Sequence, residues 1–244
     1  SATVIKHTGS HYLLAELPGW ELFPAVLRGR IRLGGGGATN PIAVGDVVDY
    51  EYDRTPSAEA PAAITAVHER RNYVIRRSAN LSRQNHIIAA NVDQAAIICT
   101  LYFPELKLPF LDRILVTCEV YNVQPVIVLN KVDLYREEAA DELARFREIY
   151  EGAGYRVIET SARTGEGIDE LRGLCNGRLT LFSGESGVGK SSMIRALDPS
   201  LEPRTGDISE AHLQGRHTTT FYELYRFSHA ASEGYIIDTP GIRG

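Results

Sequence analysis

Gly184, Glu185, Ser186, Gly187, Val188, Gly189, Lys190 and Ser191 set two glycines at fixed spacing ahead of a lysine and a serine. This is the pattern of a phosphate loop. Its glycines allow a tight turn whose backbone N–H groups converge on phosphate oxygens. Lys190 can neutralise the β- and γ-phosphates, and the Ser191 hydroxyl can ligate Mg²⁺. A following helix would add its own free amides. The base is chosen elsewhere, by Asn130, Lys131, Val132 and Asp133. The Asp133 carboxylate can accept hydrogen bonds from the N1 and N2 donors of guanine, which adenine lacks. Asn130 would reach O6/N7 and brace the loops, while the Lys131 stem covers one face of the base. Ser161 and Ala162 supply a companion loop whose backbone can meet guanine O6. In a third element, Asp238 is placed to hold Mg²⁺ through water, and the Gly241 N–H to sense the γ-phosphate. The set implies GTP binding and hydrolysis.

The order of these elements is unusual. The guanine-reading element precedes the phosphate loop, whereas in an ordinary GTPase it comes last. A circularly permuted G domain explains both content and order. Between the phosphate loop and Asp238 runs a polar stretch, 201–220, suited to a switch loop. It ends in Gly215, Arg216, His217, Thr218, Thr219 and Thr220. One threonine here would complete the Mg²⁺ sphere; Thr218 and Thr219 both stand open, with Thr219 preferred. Ile242 follows Gly241, where many GTPases place a water-orienting glutamine, and an aliphatic side chain cannot polarise water. The hydrolytic group must come from elsewhere, and His217 is the candidate. An ATPase or kinase is the enzymatic rival, opposed by Asn130 and Asp133. A nucleotide-gated RNA-binding module with negligible turnover is the non-enzymatic one.

Two kinds of pattern position these residues. Short stretches rich in β-branched and aromatic residues at 3–6, 12–17, 23–33, 46–52 and 63–67, bounded by glycines, predict strands. Five short strands without a helix imply a closed barrel, oligonucleotide-binding (OB) or SH3-like. Beyond residue 82, strands at 95–100, 125–129, 155–159 and 179–182 alternate with helices at 110–121, 137–151, 168–175 and 191–197. Two adjacent strands, 220–227 and 234–237, follow. That alternation predicts an α/β domain with a mostly parallel sheet. The expected division is a barrel over 1–75 and a permuted GTPase domain over 76–244, with 70–82 as linker or interface.

Composition is that of a soluble globule, with 43% hydrophobic and 23% charged residues in a 244-residue chain. No apolar run is long enough for a membrane span, and no signal segment opens the chain. Cys99, Cys118 and Cys175 are widely separated and lack metal-ligand spacing, as buried thiols of a cytoplasmic protein would be. A net charge of −5 opposes indiscriminate nucleic-acid binding. Arg70, Arg71, Arg76, Arg77 and Arg83 nevertheless cluster, and Arg28, Arg30 and Arg32 alternate, as candidate RNA-phosphate contacts.

In order along the chain, Thr8-Gly9-Ser10, Gly45-Asp46-Val47-Val48, Asn80-Leu81-Ser82-Arg83, Ala89-Ala90-Asn91-Val92-Asp93, the three nucleotide elements and the 215–220 run form a specific series. The series resembles the circularly permuted, small-ribosomal-subunit-dependent GTPases of the RsgA or YjeQ type. The resemblance implies a permuted phosphate-loop GTPase domain preceded by an OB-fold barrel, with Ser192 joining the nucleotide contacts. It implies GTP hydrolysis stimulated by the 30S subunit in late maturation, and barrel contact with 16S ribosomal RNA, without DNA or membrane partners. It places the proposed hydrolytic histidine on His217 and favours a monomer. It also implies a C-terminal zinc domain, for which the chain as given ends too early, at Gly244. Truncation or a disordered tail is preferred over a zinc-free member, and Mg²⁺ with nucleotide is the metal expected of the residues present.

Overall fold

The computed structural model describes residues 1–8, 11–28, 42–57, 60–77, 85–203 and 222–239. The chain divides into two compact units, one of 1–92 with a return at 219–224, the other of 93–218 with 225–244.

In the first unit, β1 (Ala2–His7), β2 (Tyr12–Ala15), β3 (Phe23–Leu27), β4 (Val47–Ser57) and β5 (Ala60–Val67) close into a barrel in the order β1-β2-β3-β5-β4. β3 and β5 run parallel, pairing Ala25 with Ala62 and Leu27 with Ile64, while the other strand pairs are antiparallel. That connectivity is the five-stranded Greek-key barrel of the OB fold, which decides against the SH3-like alternative. Alternate residues point inward, so Val4, Leu14, Ala25, Val48 and Ile64 fill the interior.

Part of the stretch expected as linker or interface forms a strand. β6 (Tyr73–Arg77) pairs antiparallel with β7 (Asn85–Ala90) as a two-stranded hairpin in the barrel's unit. Such a hairpin needs partners for its remaining polar groups. The buried Asn72 amide supplies two, donating to Val92 O at 2.7 Å and accepting from Val92 N at 2.8 Å. Asn91, at φ +56°, donates from its side chain to Gly45 O.

Arg70 is committed internally. Its Nε and Nη2 donate to Asp46 Oδ1 and Oδ2 at 2.7 and 2.6 Å, and Ala43 N also donates to Oδ2 at 2.8 Å. Arg71 Nη2 donates to Asn91 O at 3.1 Å. These two arginines therefore stitch the barrel unit together, whereas the sequence had marked them for phosphate. Asp46 is fully buried, and removing one partner of a buried fork pair costs about 3 kcal/mol. Asp46→Ala is thus expected to lower the urea-unfolding midpoint clearly, and an unchanged midpoint would show the pair contributes nothing net.

In the second unit, β8 (Gln94–Cys99), β9 (Gln124–Leu129), β10 (Arg156–Glu159), β11 (Leu179–Gly184), β12 (Leu224–His229) and β13 (Ser232–Asp238) form one sheet, ordered β10-β9-β8-β11-β13-β12. The neighbours from β10 to β13 are all parallel. Helices α1 (Leu108–Val120), α2 (Val132–Tyr135), α3 (Ala140–Gly152), α4 (Ile168–Cys175) and α5 (Lys190–Leu197) connect them. α1 begins with Pro109 in its first turn, where a missing N–H costs nothing. α3 carries Asp141 and Glu142 at its positive end and buries Leu143, Phe146 and Tyr150 along one stripe. Ile98, Val128, Ile158 and Phe182 of the sheet pack with Leu171 of α4 and Ile194 of α5.

The three cysteines are free thiols, Cys99 and Cys175 buried and Cys118 half-buried. Burial pushes Cys99 up to about 12 and the other two to about 11. No helix among the described residues is long and apolar enough to cross a membrane.

Candidate functional site

Parallel strands deliver their following loops to one edge of a sheet. β9 leads into Asn130, β10 into Ser161, β11 into the phosphate loop, and β13 ends at Asp238. All of these strands run the same way, so elements far apart in sequence reach a common edge.

The phosphate loop depends on its glycines. A Cβ at Gly184 would lie 2.7 Å from Ile98 O of the neighbouring strand. Gly189 sits at φ +88°, and a Cβ there would come 2.5 Å from Asn130 Nδ2. Only glycine meets both demands. Lys190 and Ser191 then open α5, whose buried face is Met193, Ile194 and Leu197. Its far end is capped by α4: Arg172, itself buried, donates from Nε to Leu197 O at 2.9 Å and from Nη2 to Ala196 O at 3.0 Å.

The elements expected to read the base are tied directly to this loop. Asn130 is buried, and its Nδ2 donates to Val188 O at 2.9 Å. Its Oδ1 accepts from Ala162 N at 3.1 Å and from Thr160 Oγ1 at 3.3 Å. The Ala162 N–H thereby braces the Ser161–Ala162 loop against the Asn130 loop. Lys131, at φ +61°, stretches its ammonium to Gly187 O at 2.6 Å and Phe103 O at 2.7 Å. The stem is thereby held taut beside the phosphate loop. Asp133 is exposed in the first turn of α2. Ser161 is buried and shapes its own turn, its Oγ accepting from Thr164 N at 3.1 Å.

Several supports carried no sequence signal. Buried Tyr135 donates its hydroxyl to Asn130 O at 2.7 Å, and burial pushes that hydroxyl well above its usual range. Arg136 reaches Glu166 at 2.5 Å and Glu159 at 3.3 Å, joining the Asn130 and Ser161 loops from behind. Arg147 Nη1 holds the other oxygen of Glu159 at 2.6 Å. Phe103 contributes only its carbonyl. Such residues act through tertiary contact, so no local pattern could mark them.

At the opposite side of the phosphate loop, β11 and β13 bring Phe182 into register with Asp238. Lys190 Nζ lies 3.0 Å from Asp238 Oδ1, both side chains 11% exposed. Oδ1 is buried, and the Lys190 ammonium is its charged partner. Burial pushes the Asp238 carboxyl up, against the lowering effect of Lys190. A buried carboxylate oxygen beside the phosphate loop is a hard donor that fits Mg²⁺. Among the described residues there is no grouping of three or more His, Cys, Asp or Glu that could hold a metal by itself. His217, Thr218, Thr219 and Gly241 lie outside the described residues.

Comparison with known proteins places this geometry. The profile of the RsgA GTPase family matches residues 67–244. A small ribosomal subunit biogenesis GTPase RsgA of Flavobacterium johnsoniae is 43% identical over the whole of this chain and 74% of its own. Its counterpart in Porphyromonas gingivalis is 45% identical over 99% of this chain and 76% of its own. Among solved structures, YjeQ from Thermotoga maritima aligns with a TM-score of 0.74 and 33% identity, over 98% of this chain and 74% of that one. YloQ, described as a circularly permuted GTPase, aligns at 0.67 and 25%, over 98% and 70%. The chain belongs to the RsgA GTPase family, and its reaction is the hydrolysis of GTP.

Proposed function

We propose that this GTPase acts in late maturation of the 30S ribosomal subunit, hydrolysing GTP in response to the subunit while its barrel contacts 16S ribosomal RNA. The bracing of Asn130 and Lys131 against the phosphate loop carries the reading, because base reader and phosphate cradle form one hydrogen-bonded body. Relatives named for small ribosomal subunit biogenesis support the destination. Family membership implies GTP or GDP with Mg²⁺ as the small ligands.

In this reading Asp133 accepts from guanine, the Lys131 stem lies against the base, and Asn130 locks both loops in place. The amides from Gly184 to Ser192 and the Lys190 ammonium bind the phosphates. Ser191, Asp238 and Thr219 are the groups to hold Mg²⁺, which when bound neutralises charge on the β- and γ-phosphate oxygens. Before nucleotide arrives, Lys190 and Asp238 neutralise each other. GTP draws Lys190 to phosphate. The Gly241 N–H senses the γ-phosphate, and His217 orients the water for in-line attack. Loss of that phosphate releases the switch, and affinity for the subunit falls.

The test is GTP and ATP turnover by the intact protein with and without purified 30S subunits, with His217→Ala alongside. Strong stimulation confined to GTP is expected, falling about a hundredfold in the variant, the scale of an acid–base or water-orienting group. Ile242, which cannot orient water, favours one second reading. An intact protein that binds the subunit and shows no stimulation would be a nucleotide-gated binding module instead.

A further inference from the structure

The barrel end formed by the β2–β3 connection and the later part of β4 carries three aromatic rings, Phe23 and Tyr50 half-buried against the barrel core and Tyr52 exposed. Val48, Tyr50 and Tyr52 alternate along one face of β4, from fully buried through half-buried to 66% exposed. Phe23 of β3 stands 4.9 Å from the Tyr50 ring, tilted by 52°, and 6.3 Å from the Tyr52 ring. Tyr50 and Tyr52 meet edge to face, 5.7 Å apart at 87°. Leu22, next to Phe23, is also exposed. The exposed Tyr52 leaves ring surface open to solvent beside the other two, and an aromatic face can hold a cation.

Among the described residues, the side chains around these rings are mostly acidic. Glu16 accepts the Tyr50 hydroxyl proton at 2.5 Å. That hydrogen bond, helped by burial, pushes Tyr50 up to about 12, so the ring stays neutral at physiological pH. Glu21 lies in the same connection, and Asp49 and Glu51 flank Tyr50 along β4. Against them stand Arg28, 3.5 Å from Glu51 with both side chains largely exposed, and His68, 2.8 Å from Asp49. An exposed pair such as Arg28–Glu51 holds its partners weakly. Nucleic acid gains affinity from cationic contacts to its phosphates, and this corner offers carboxylates. A guanidinium or ammonium group gains from both the ring faces and the carboxylates.

We propose that this end of the barrel docks an arginine- or lysine-rich polypeptide segment, one cationic side chain seating among Phe23, Tyr50 and Tyr52 with Glu16 as its counter-charge. The site belongs to the barrel unit and the proposed GTP-binding loops to the other, so it would give the protein a protein contact alongside any RNA contact.

The test uses the intact chain and two labelled probes, an arginine–glycine repeat peptide and an oligouridine RNA, followed by fluorescence anisotropy. Tyr52→Ala and Glu16→Gln are each expected to weaken peptide binding by about two- to thirtyfold, the range of a single cation–aromatic contact. Tyr52→Phe should retain binding, because it keeps the ring face. Glu148→Gln, which removes the same charge from exposed α3, should change nothing, which separates the site from general attraction to an acidic protein. Circular dichroism of each variant checks that the barrel is intact. Absence of peptide binding to wild type, or binding indifferent to Tyr52 and Glu16, overturns the proposal. Weakening of RNA rather than peptide binding by Tyr52→Ala also overturns it, and would identify a base-stacking surface instead.

Discussion

Asp133→Asn is expected to lower GTP and GDP affinity by about a thousandfold and to raise affinity for xanthosine nucleotides. The carboxylate offers two acceptors to the N1 and N2 donors of guanine, and charge-assisted hydrogen bonds are each worth about 1.5–3 kcal/mol. An amide keeps one acceptor and turns a donor toward another donor, leaving both unpaired. Xanthine carries a carbonyl where guanine carries its amine, and so meets the amide's donor. A site built around specific hydrogen bonds discriminates by orders of magnitude for this reason. The fold should not suffer, because Asp133 is exposed in the first turn of α2. Displacement of labelled GDP by GTP, XTP and ATP measures the effect. Unchanged GTP affinity would mean that the base is not read by Asp133.

Lys190→Met should cost nucleotide affinity about a hundredfold and also change how the nucleotide-free protein responds to pH. The ammonium is the charge aimed at the β- and γ-phosphates, and truncating one partner of a desolvated charge contact costs about 2–5 kcal/mol. In the nucleotide-free protein the same ammonium offsets the burial of Asp238. Burial holds the Asp238 carboxyl above its ordinary value of 3.8, and Lys190 limits the rise. A carboxyl raised on folding favours the native state fully below 3.8, and that contribution is lost as pH rises through the folded-state value. Removing Lys190 moves the folded-state value further up. As pH is lowered from neutrality, the variant should therefore begin to regain stability at a higher pH than wild type. Urea unfolding of both proteins across the acid range gives the difference curve. Parallel curves would show that Lys190 and Asp238 do not interact. Calorimetry with GDP and GTP measures the affinity loss separately.

The nucleotide chemistry was legible because it is local. A phosphate loop works through backbone amides and two glycine positions, and the proposed guanine reader, Asp133, is a single side chain, so residue type and spacing carry the information. The alternation of apolar strands with helical periods likewise predicted a parallel α/β sheet, and the strands from β8 to β11 follow it closely. Short β stretches were harder. The sequence left OB and SH3-like barrels open, because strand pairing depends on contacts between distant segments, and the parallel β3–β5 pair resolved it. The 70–82 segment read as a linker or interface because its polar residues and arginines resemble an exposed connection. In place, β6 pairs with β7, and Asn72, Arg70 and Arg71 find partners on Val92, Asp46 and Asn91.

Residue identity alone thus set which groups could bind a guanine nucleotide, and even that the domain is permuted, since motif order is a property of the chain. Convergence belonged to the tertiary structure. Parallel register brings the loops after β9, β10 and β11 and the end of β13 to one edge irrespective of their order in sequence. Only there does Asn130 meet Val188 and Lys131 meet Gly187. The fate of each charge was decided there too. An arginine in sequence is a cation available to any anion, and folding commits Arg70 to a buried Asp46 while leaving the rings of Tyr50 and Tyr52 beside Glu16. Burial fixes such pairings because a charge taken out of water must find its partner within the fold.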